Sequence, residues 1–143
     1  MTSGNRHKVR RAKKEPFVFI VKDNPTNKDL KEFQKFNNHF VKIKKKEKLD
    51  YLQMRRLKLF RDKGVLVFTK LQNTNGFVLG YQIHLIDKDL VLNLYTCTAA
   101  WVKNRPDLKQ QVNLSNRHLL WENILLFKKR GYKIWFWRDN RSR

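Results

Sequence analysis

The stretch of sequence that decides the fold runs from residue 115 to residue 135 and reads SNRHLLWENILLFKKRGYKIW. Its apolar residues Leu120, Ile124 and Phe127 recur at the spacing of one helix face. The cations at 128–130 suit the negative end of a helix dipole, and Gly131 can adopt the left-handed conformation that often follows a helix. The residues after Gly131 alternate between apolar and polar or bulky side chains, as in a strand. The stretch therefore predicts a helix that leads directly into a strand.

The start of this helix is predicted at Asn113 or Ser115, because either side chain can accept a hydrogen bond from a free backbone N–H. The preceding segment, 99–111, contains a proline and is predicted to be a loop. Asn116 and Arg117 would then open the helix, where the N-terminus favours an anion. Both are predicted to bind substrate, and Arg117 is the main candidate for a phosphate or carboxylate contact. The alternative is that Arg117 is a solvated arginine of the first helical turn.

Outside this unit, apolar runs and turn signals predict four more strands and two more helices. The five strands are predicted at residues 17–21, 65–71, 77–86, 90–96 and 132–137. The first helix is marked by Leu30, Phe33, Phe36 and Phe40, and the second by Leu49, Leu52, Leu57 and Phe60. The order β-α-α-β-β-β-α-β predicts an α/β (α+β) fold with a central mixed sheet flanked by helices. Because the last helix crosses between them, the fourth and fifth strands are expected to be parallel neighbours.

The length of 143 residues predicts a single domain at 16–137, preceded by a basic arm at 1–15 and followed by a basic tail at 138–143. The chain has one cysteine, Cys97, which excludes an internal disulfide framework and favours a reducing, cytoplasmic compartment. No apolar run is long enough for a transmembrane helix.

The charge is the second strong signal in the sequence. The chain has 33 Lys and Arg against 12 Asp and Glu, a net charge of +21. Such a field attracts polyanions, so a polyanion such as tRNA is a predicted partner. The alternative is a lysine-rich surface that is only solvated.

Two blocks of residues resemble a known family. The first contains Asn116-Arg117, Leu120-Trp121, Phe127-Lys128 and Gly131-Tyr132-Lys133, and the second contains Arg6, Val9-Arg10-Arg11-Ala12 and Lys14-Glu15. Both resemble motifs of the bacterial Fem-like acyltransferases of the GNAT superfamily, which are similar to the peptidoglycan bridge-forming aminoacyl transferases. The chain departs from the family pattern at Phe136, which stands where an aspartate is usual, and at Arg138-Asp139, which replaces a glycine pair. The family domain normally extends further, so a partial GNAT-like domain lacking its C-terminal part is expected.

The resemblance implies an acyl or aminoacyl transfer to an amine acceptor, possible without any fixed nucleophile. Catalysis in such enzymes comes mainly from positioning and from backbone N–H groups that stabilise an oxyanion. The site would lie where the strand at Tyr95 faces the strand at Trp135. Tyr95 is the predicted catalytic residue, as a general acid on the leaving group, and its alternative role is packing. Arg10, Arg11 and Trp135 are further predicted substrate-binding residues.

The resemblance implies a donor rather than a permanently bound cofactor. The loop after the third meander strand contains no glycine, which disfavours a CoA pyrophosphate there. Aminoacyl-tRNA is the preferred donor, and acyl-CoA the less favoured one. A different class of function remains open: a non-enzymatic basic module that binds nucleic acid through residues 6–14, 42–48 and 55–56.

The remaining candidates for chemistry are few. The four histidines are scattered and form no metal-ligand spacing, so no metal site is predicted. His84 is predicted to be a surface residue on the polar face of a strand. Cys97 is predicted to be a small buried residue rather than a nucleophile, because no histidine has a recognisable spacing to it.

Overall fold

The structure, a computed structural model, describes residues 17–102 and 104–134, and within them five strands and three helices follow the predicted order. The strands are β1 (Val18–Lys22), β2 (Leu66–Gln72), β3 (Val78–Asp87), β4 (Leu90–Thr98) and β5 (Lys133–Ile134). The helices are α1 (Asn27–Lys44), α2 (Tyr51–Asp62) and α3 (Pro106–Lys129). The predicted basic arm and basic tail lie outside the described residues.

The five strands form one mixed sheet in the order β1-β2-β3-β4-β5. The first four pair antiparallel, while β4 and β5 are parallel and pair through Leu90↔Lys133 and Val91↔Ile134. Helix α3 makes the crossover between these two strands. The predicted mixed sheet, with parallel neighbours at its end, is therefore confirmed.

Helices α1 and α2 each begin with a reciprocal capping box. The Thr26 hydroxyl accepts from the Asp29 amide at 3.1 Å, and the Asp29 carboxylate accepts from the Thr26 amide at 2.9 Å. Asp50 and Gln53 make the same pair of bonds at the start of α2, at 3.0 and 2.9 Å. Each box satisfies two backbone donors that a helix start leaves free, which fixes where the two helices begin.

One face of the sheet is covered by α1 and α2. The fully buried Leu30 and Phe33 of α1 and the buried Met54 and Leu57 of α2 form one core with residues of β2 and β3. The prediction for the second helix is wrong at two positions: Leu49 is buried but precedes α2, and Leu52 is 69% exposed. Leu52 lies on the outer side of α2, away from the side that carries Met54 and Leu57.

Helix α3 begins earlier than predicted, at Pro106 instead of Asn113 or Ser115, so the predicted loop at 99–111 is wrong in its second half. Proline fits the first helical position because it lacks an N–H that would be unpaired there, and Asp107 suits the positive end of the dipole. Ser115 lies buried inside the helix and donates its hydroxyl to a backbone oxygen of the preceding turn at 2.8 Å.

The other face of the sheet is covered by α3. Phe127 is fully buried there against Val67 and Val91. The prediction that His84 lies on the surface is wrong, because its ring is fully buried and meets Phe127 edge-on at 4.9 Å between centroids. Since α3 covers this face of β3, both faces of the strand are buried. The apolar and polar residues that alternate along β3 therefore face two cores, and neither set faces solvent.

Candidate functional site

Strand β4 contains a β-bulge in the middle of its pairing with β3. The register passes from Asn93 to Tyr95 between adjacent residues of β3, so Leu94 is an extra residue with no partner on that strand. A bulge of this kind bends a strand and disrupts the regular ladder of backbone hydrogen bonds. In the described residues β5 pairs with Leu90 and Val91, and Leu92 and Asn93 separate these pairs from the extra residue Leu94.

The side chain of Asn93 holds the bulge in shape. Its Nδ2 donates to the backbone oxygen of Tyr95 at 3.2 Å, and its Oδ1 accepts from the Thr96 hydroxyl at 2.9 Å. Both bonds span the extra residue. The backbone around Leu94 is therefore fixed by side-chain hydrogen bonds as well as by the neighbouring strand.

Tyr95 follows the bulge and is half-buried under α1 and α2. Its ring lies 5.7 Å from that of Phe33, centroid to centroid. Burial raises the pKa of the Tyr95 phenol, and the charge of Asp50 adds to this, while the positive charge of Arg56 opposes it. The net pKa lies above the ordinary value, so the phenol keeps its proton at neutral pH and can act as a donor.

An open groove with aromatic walls lies on the same face of the sheet. Its lining includes Glu32, Phe36, His39, Tyr81 and Trp101. The Trp101 indole stacks on the His39 ring at 3.9 Å and 7°, and it meets Phe36 edge-on at 4.7 Å. Walls of this composition suit an apolar or planar part of a bound molecule.

The predicted site residues do not come together in one place. Asn116 and Arg117 lie inside α3, on the opposite face of the sheet from Phe33 and Tyr95. The predicted helix-start position of Asn116 and Arg117 is wrong, because α3 begins at Pro106, and the free N–H groups of the helix are not near them. Their role in binding stays a prediction.

Three other predicted substrate-binding residues, Arg10, Arg11 and Trp135, lie outside the described residues. The expected approach of Trp135 to the strand of Tyr95 falls there as well. Of the two strands predicted to form the site, the structure describes the one at Tyr95.

The prediction for Cys97 is confirmed. The thiol is fully buried, and that burial raises its pKa well above the usual range, although a hydrogen bond to the backbone of Tyr81 opposes the shift. A buried, protonated thiol is a poor nucleophile. In the described part of the chain, no group of three or more His, Cys, Asp or Glu side chains could hold a metal ion.

Two residues near Tyr95 were missed as site residues. Asn93 gives no local signal, because its role depends on the register between two strands. Arg56 lies close enough to Tyr95 to shift its pKa, yet in the sequence it is one cation among many. Only the position that the fold gives to α2, with Arg56 near Tyr95, distinguishes it.

With this geometry in place, comparison with solved structures identifies the fold. The chain has a GNAT-like fold. It superposes on L-PGS from Bacillus licheniformis with a TM-score of 0.62 and 16% identity, over 92% of this chain and 37% of that one. It superposes on the C-terminal domain (DUF2156) of a putative lysylphosphatidylglycerol synthetase from Agrobacterium fabrum with a TM-score of 0.63 and 10% identity, over 91% and 38% of the two chains.

A third similar structure is an aminoglycoside acetyltransferase, meta-AAC0020, from an uncultured soil metagenomic sample, in complex with sisomicin. The TM-score is 0.50 and the identity 9%, over 83% of this chain and 74% of that one. No family model and no curated protein sequence matches the chain. The chain spans less than two fifths of the length of the first two structures. The GNAT-like fold expected from the sequence is confirmed, whereas its Fem-like assignment stays a prediction.

Proposed function

We propose that this chain is an acyl or aminoacyl transferase whose reaction centre lies at the β4 bulge. The observation that carries the proposal is the bulge at Leu94, held by the side chain of Asn93 in the strand that pairs with β3 and β5. A bulge removes backbone groups from the strand ladder and leaves them available to a ligand. Backbone N–H groups directed at a developing oxyanion are a large source of stabilisation in acyl transfer.

The reaction follows from this geometry. The acceptor amine attacks the carbonyl carbon of the donor, a C–N bond forms, and the carbonyl oxygen becomes an oxyanion. When the oxyanion collapses, the bond to the leaving oxygen or sulfur breaks, and the proton given up by the amine is balanced by one delivered to the leaving group. The Tyr95 phenol holds a proton at neutral pH and would deliver it.

The similar structures support this class of reaction. The first is named L-PGS, the second a putative lysylphosphatidylglycerol synthetase and the third an aminoglycoside acetyltransferase. These names are compatible with an aminoacyl or acyl donor, and the resemblance to the Fem-like enzymes favours aminoacyl-tRNA over acyl-CoA. An amine acceptor remains part of the proposal, and Asn116, Arg117, Arg10, Arg11 and Trp135 remain its proposed substrate-binding residues.

Replacement of Tyr95 tests the proposal. Tyr95→Phe keeps the ring that packs on Phe33 and removes only the hydroxyl, so the fold should persist. Loss of a general acid lowers kcat by roughly 100-fold or more. The assay measures transfer of labelled acyl groups from a pool of aminoacyl-tRNAs, and separately from acyl-CoA, to amine acceptors.

Tyr132→Phe is the matched control, because Tyr132 also packs on a phenylalanine, Phe127, but on the other face of the sheet. It should leave kcat unchanged. Equal activity of Tyr95→Phe and wild-type protein would contradict the role of Tyr95. Absence of transfer from either donor by the wild-type chain would contradict the proposal as a whole.

A further inference from the structure

Apolar side chains are exposed on the outer face of α2, the side that is turned away from the core. Tyr51 is 74% exposed, Leu52 69% and Leu59 53%. At 100° per residue, these three side chains and that of Arg55 fall within an arc of about 100° around the helix. The outer face of α2, defined by Tyr51, Leu52, Arg55 and Leu59, is therefore a continuous stripe.

This stripe cannot be the core-facing side of the helix. Met54 and Leu57 point the other way and are buried in the core shared with α1 and the sheet. The capping box of Asp50 and Gln53 fixes the first turn. The orientation of α2 is thus determined on its inner side, and Leu52 and Leu59 are left facing outward.

Cations surround the stripe. Arg55 lies within it, Arg56 and Lys58 flank it, and the connection before α2 adds Lys45, Lys46 and Lys48, all exposed. Between residues 42 and 63 the sequence has ten basic and three acidic residues. Two of the acids are engaged: Asp50 caps α2, and Asp62 pairs with Arg61 at 2.8 Å. The charge around the outer face of α2 is strongly positive.

We propose that the outer face of α2 docks on the surface of an anionic lipid bilayer. An exposed apolar stripe flanked by Lys and Arg is the pattern of a helix that lies in the membrane interface, with its apolar side chains among the acyl chains and its cations among the headgroups. In the described part of the chain no helix is long and apolar enough to cross a membrane.

A bilayer fits this face better than nucleic acid does. Phosphates of a nucleic acid would engage the cations, but they offer nothing to the two exposed leucines. A bilayer satisfies both, since anionic headgroups meet the cations and acyl chains cover Leu52 and Leu59. The inference does not depend on the proposed transferase activity. Arg56 connects the docking face with the proposed reaction centre, because it flanks this face and its positive charge acts on the pKa of Tyr95. Docking would therefore place the reaction centre near the lipid surface.

The test is co-sedimentation of the full chain with vesicles of phosphatidylcholine containing increasing fractions of phosphatidylglycerol. Binding should rise with the anionic fraction and fall with salt. Leu52→Ala/Leu59→Ala should weaken partitioning at least roughly tenfold, because burial of two leucine side chains is worth that factor or more. Leu125→Ala is the matched control, since Leu125 is 45% exposed on α3, on the opposite face of the sheet.

A fluorescent variant locates the contact. The emission of a tryptophan placed by Leu59→Trp should shift to the blue when anionic vesicles are added, relative to the wild-type protein, and that of Leu125→Trp should not. Thermal unfolding of each variant verifies that the exposed substitutions leave the fold intact.

Three results would overturn the proposal. The first is equal vesicle binding by the double-alanine variant and the wild-type protein. The second is a wild-type chain that binds tRNA but no vesicle of any composition, which would make this face a nucleic-acid surface. The third is a wild-type chain that is dimeric by light scattering, with a monomeric double-alanine variant, which would make it an interface between copies.

Discussion

His84 is an ionisable side chain inside the molecule, between β3 and α3. Burial lowers the pKa of its ring from 6.5 to about 3, although the side chain of Asn123 opposes the shift through hydrogen bonding. Asn123 is itself fully buried and donates to Gln82 and to the backbone oxygen of Leu119, both at 2.9 Å. Neutral His84 thus belongs to a cluster of polar side chains in the core between the sheet and α3.

This buried histidine predicts a loss of stability in mild acid. The unfolded chain takes up a proton near pH 6.5, whereas the folded chain resists protonation of His84 until about pH 3. Stability is therefore fully present above pH 6.5 and declines as the pH falls through this window. Between pH 7 and pH 5 the free energy of unfolding should fall by roughly 2 kcal/mol from this group.

Urea unfolding of the wild-type protein and of His84→Gln at the two pH values measures the effect. The variant has no ring to titrate and should lose less stability on acidification, whatever its stability at pH 7. His39→Gln, at an exposed histidine, should retain the full loss. The same acid-induced change in His84→Gln as in the wild-type protein would show that His84 is not the cause.

The helices show why some parts of the fold were predictable from the sequence and others were not. The strand order follows from local alternation and turn residues, which act within a few neighbours. The start of α3 differs from the prediction because proline is typical of loops and is also favoured at the first position of a helix, where Pro106 stands. The predicted apolar face of α3 is correct at Phe127, which is fully buried, but Leu120 and Ile124 are only partly buried. The buried neighbours are Leu119 and the polar Asn123, which apolar spacing does not mark.

The capping box of α1 predicts a measurable contribution from a single exposed side chain. Thr26→Ala removes the oxygen that accepts from the Asp29 amide and should lower the free energy of unfolding by about 1 kcal/mol. Thr74→Ala is the control, since Thr74 is exposed in the turn between β2 and β3 and caps no helix. Chemical unfolding at neutral pH compares them. A Thr26→Ala variant as stable as the control would mean that other bonds hold the start of α1.

The candidate site was less predictable than the fold, because it depends on relations between elements. Tyr95 was found from a family resemblance, but the bulge at Leu94 appears only in the register of β4 against β3. The interaction of Arg56 with Tyr95 appears only when the fold brings α2 near that side chain. No window of sequence contains either relation. Local sequence patterns thus predict the helices and strands, whereas the candidate site depends on contacts between helices and strands that are distant in sequence.

At the scale of the whole molecule, the net charge of +21 is compatible with two functions, the proposed transferase and a general basic module, and nucleic-acid binding distinguishes them. A transferase with an aminoacyl-tRNA donor should prefer tRNA to duplex DNA, because it must recognise the shape of the RNA. A general basic module should bind both equally.

Salt titration of tRNA and duplex DNA binding therefore provides the last prediction. With six or more phosphate contacts, affinity should fall roughly 1000-fold or more between 50 and 200 mM salt, and tRNA should bind more tightly than duplex DNA at every concentration. Replacing Lys44, Lys45 and Lys46 with Gln should reduce the slope of log K against log salt by about three if each neutralises a phosphate. A triple replacement with Gln at Lys128, Lys129 and Lys133 removes the same charge from the C-terminal side of the molecule and is the control. Equal affinity for tRNA and DNA would favour the basic module, and no binding at low salt would mean that the charge is only a solvated surface.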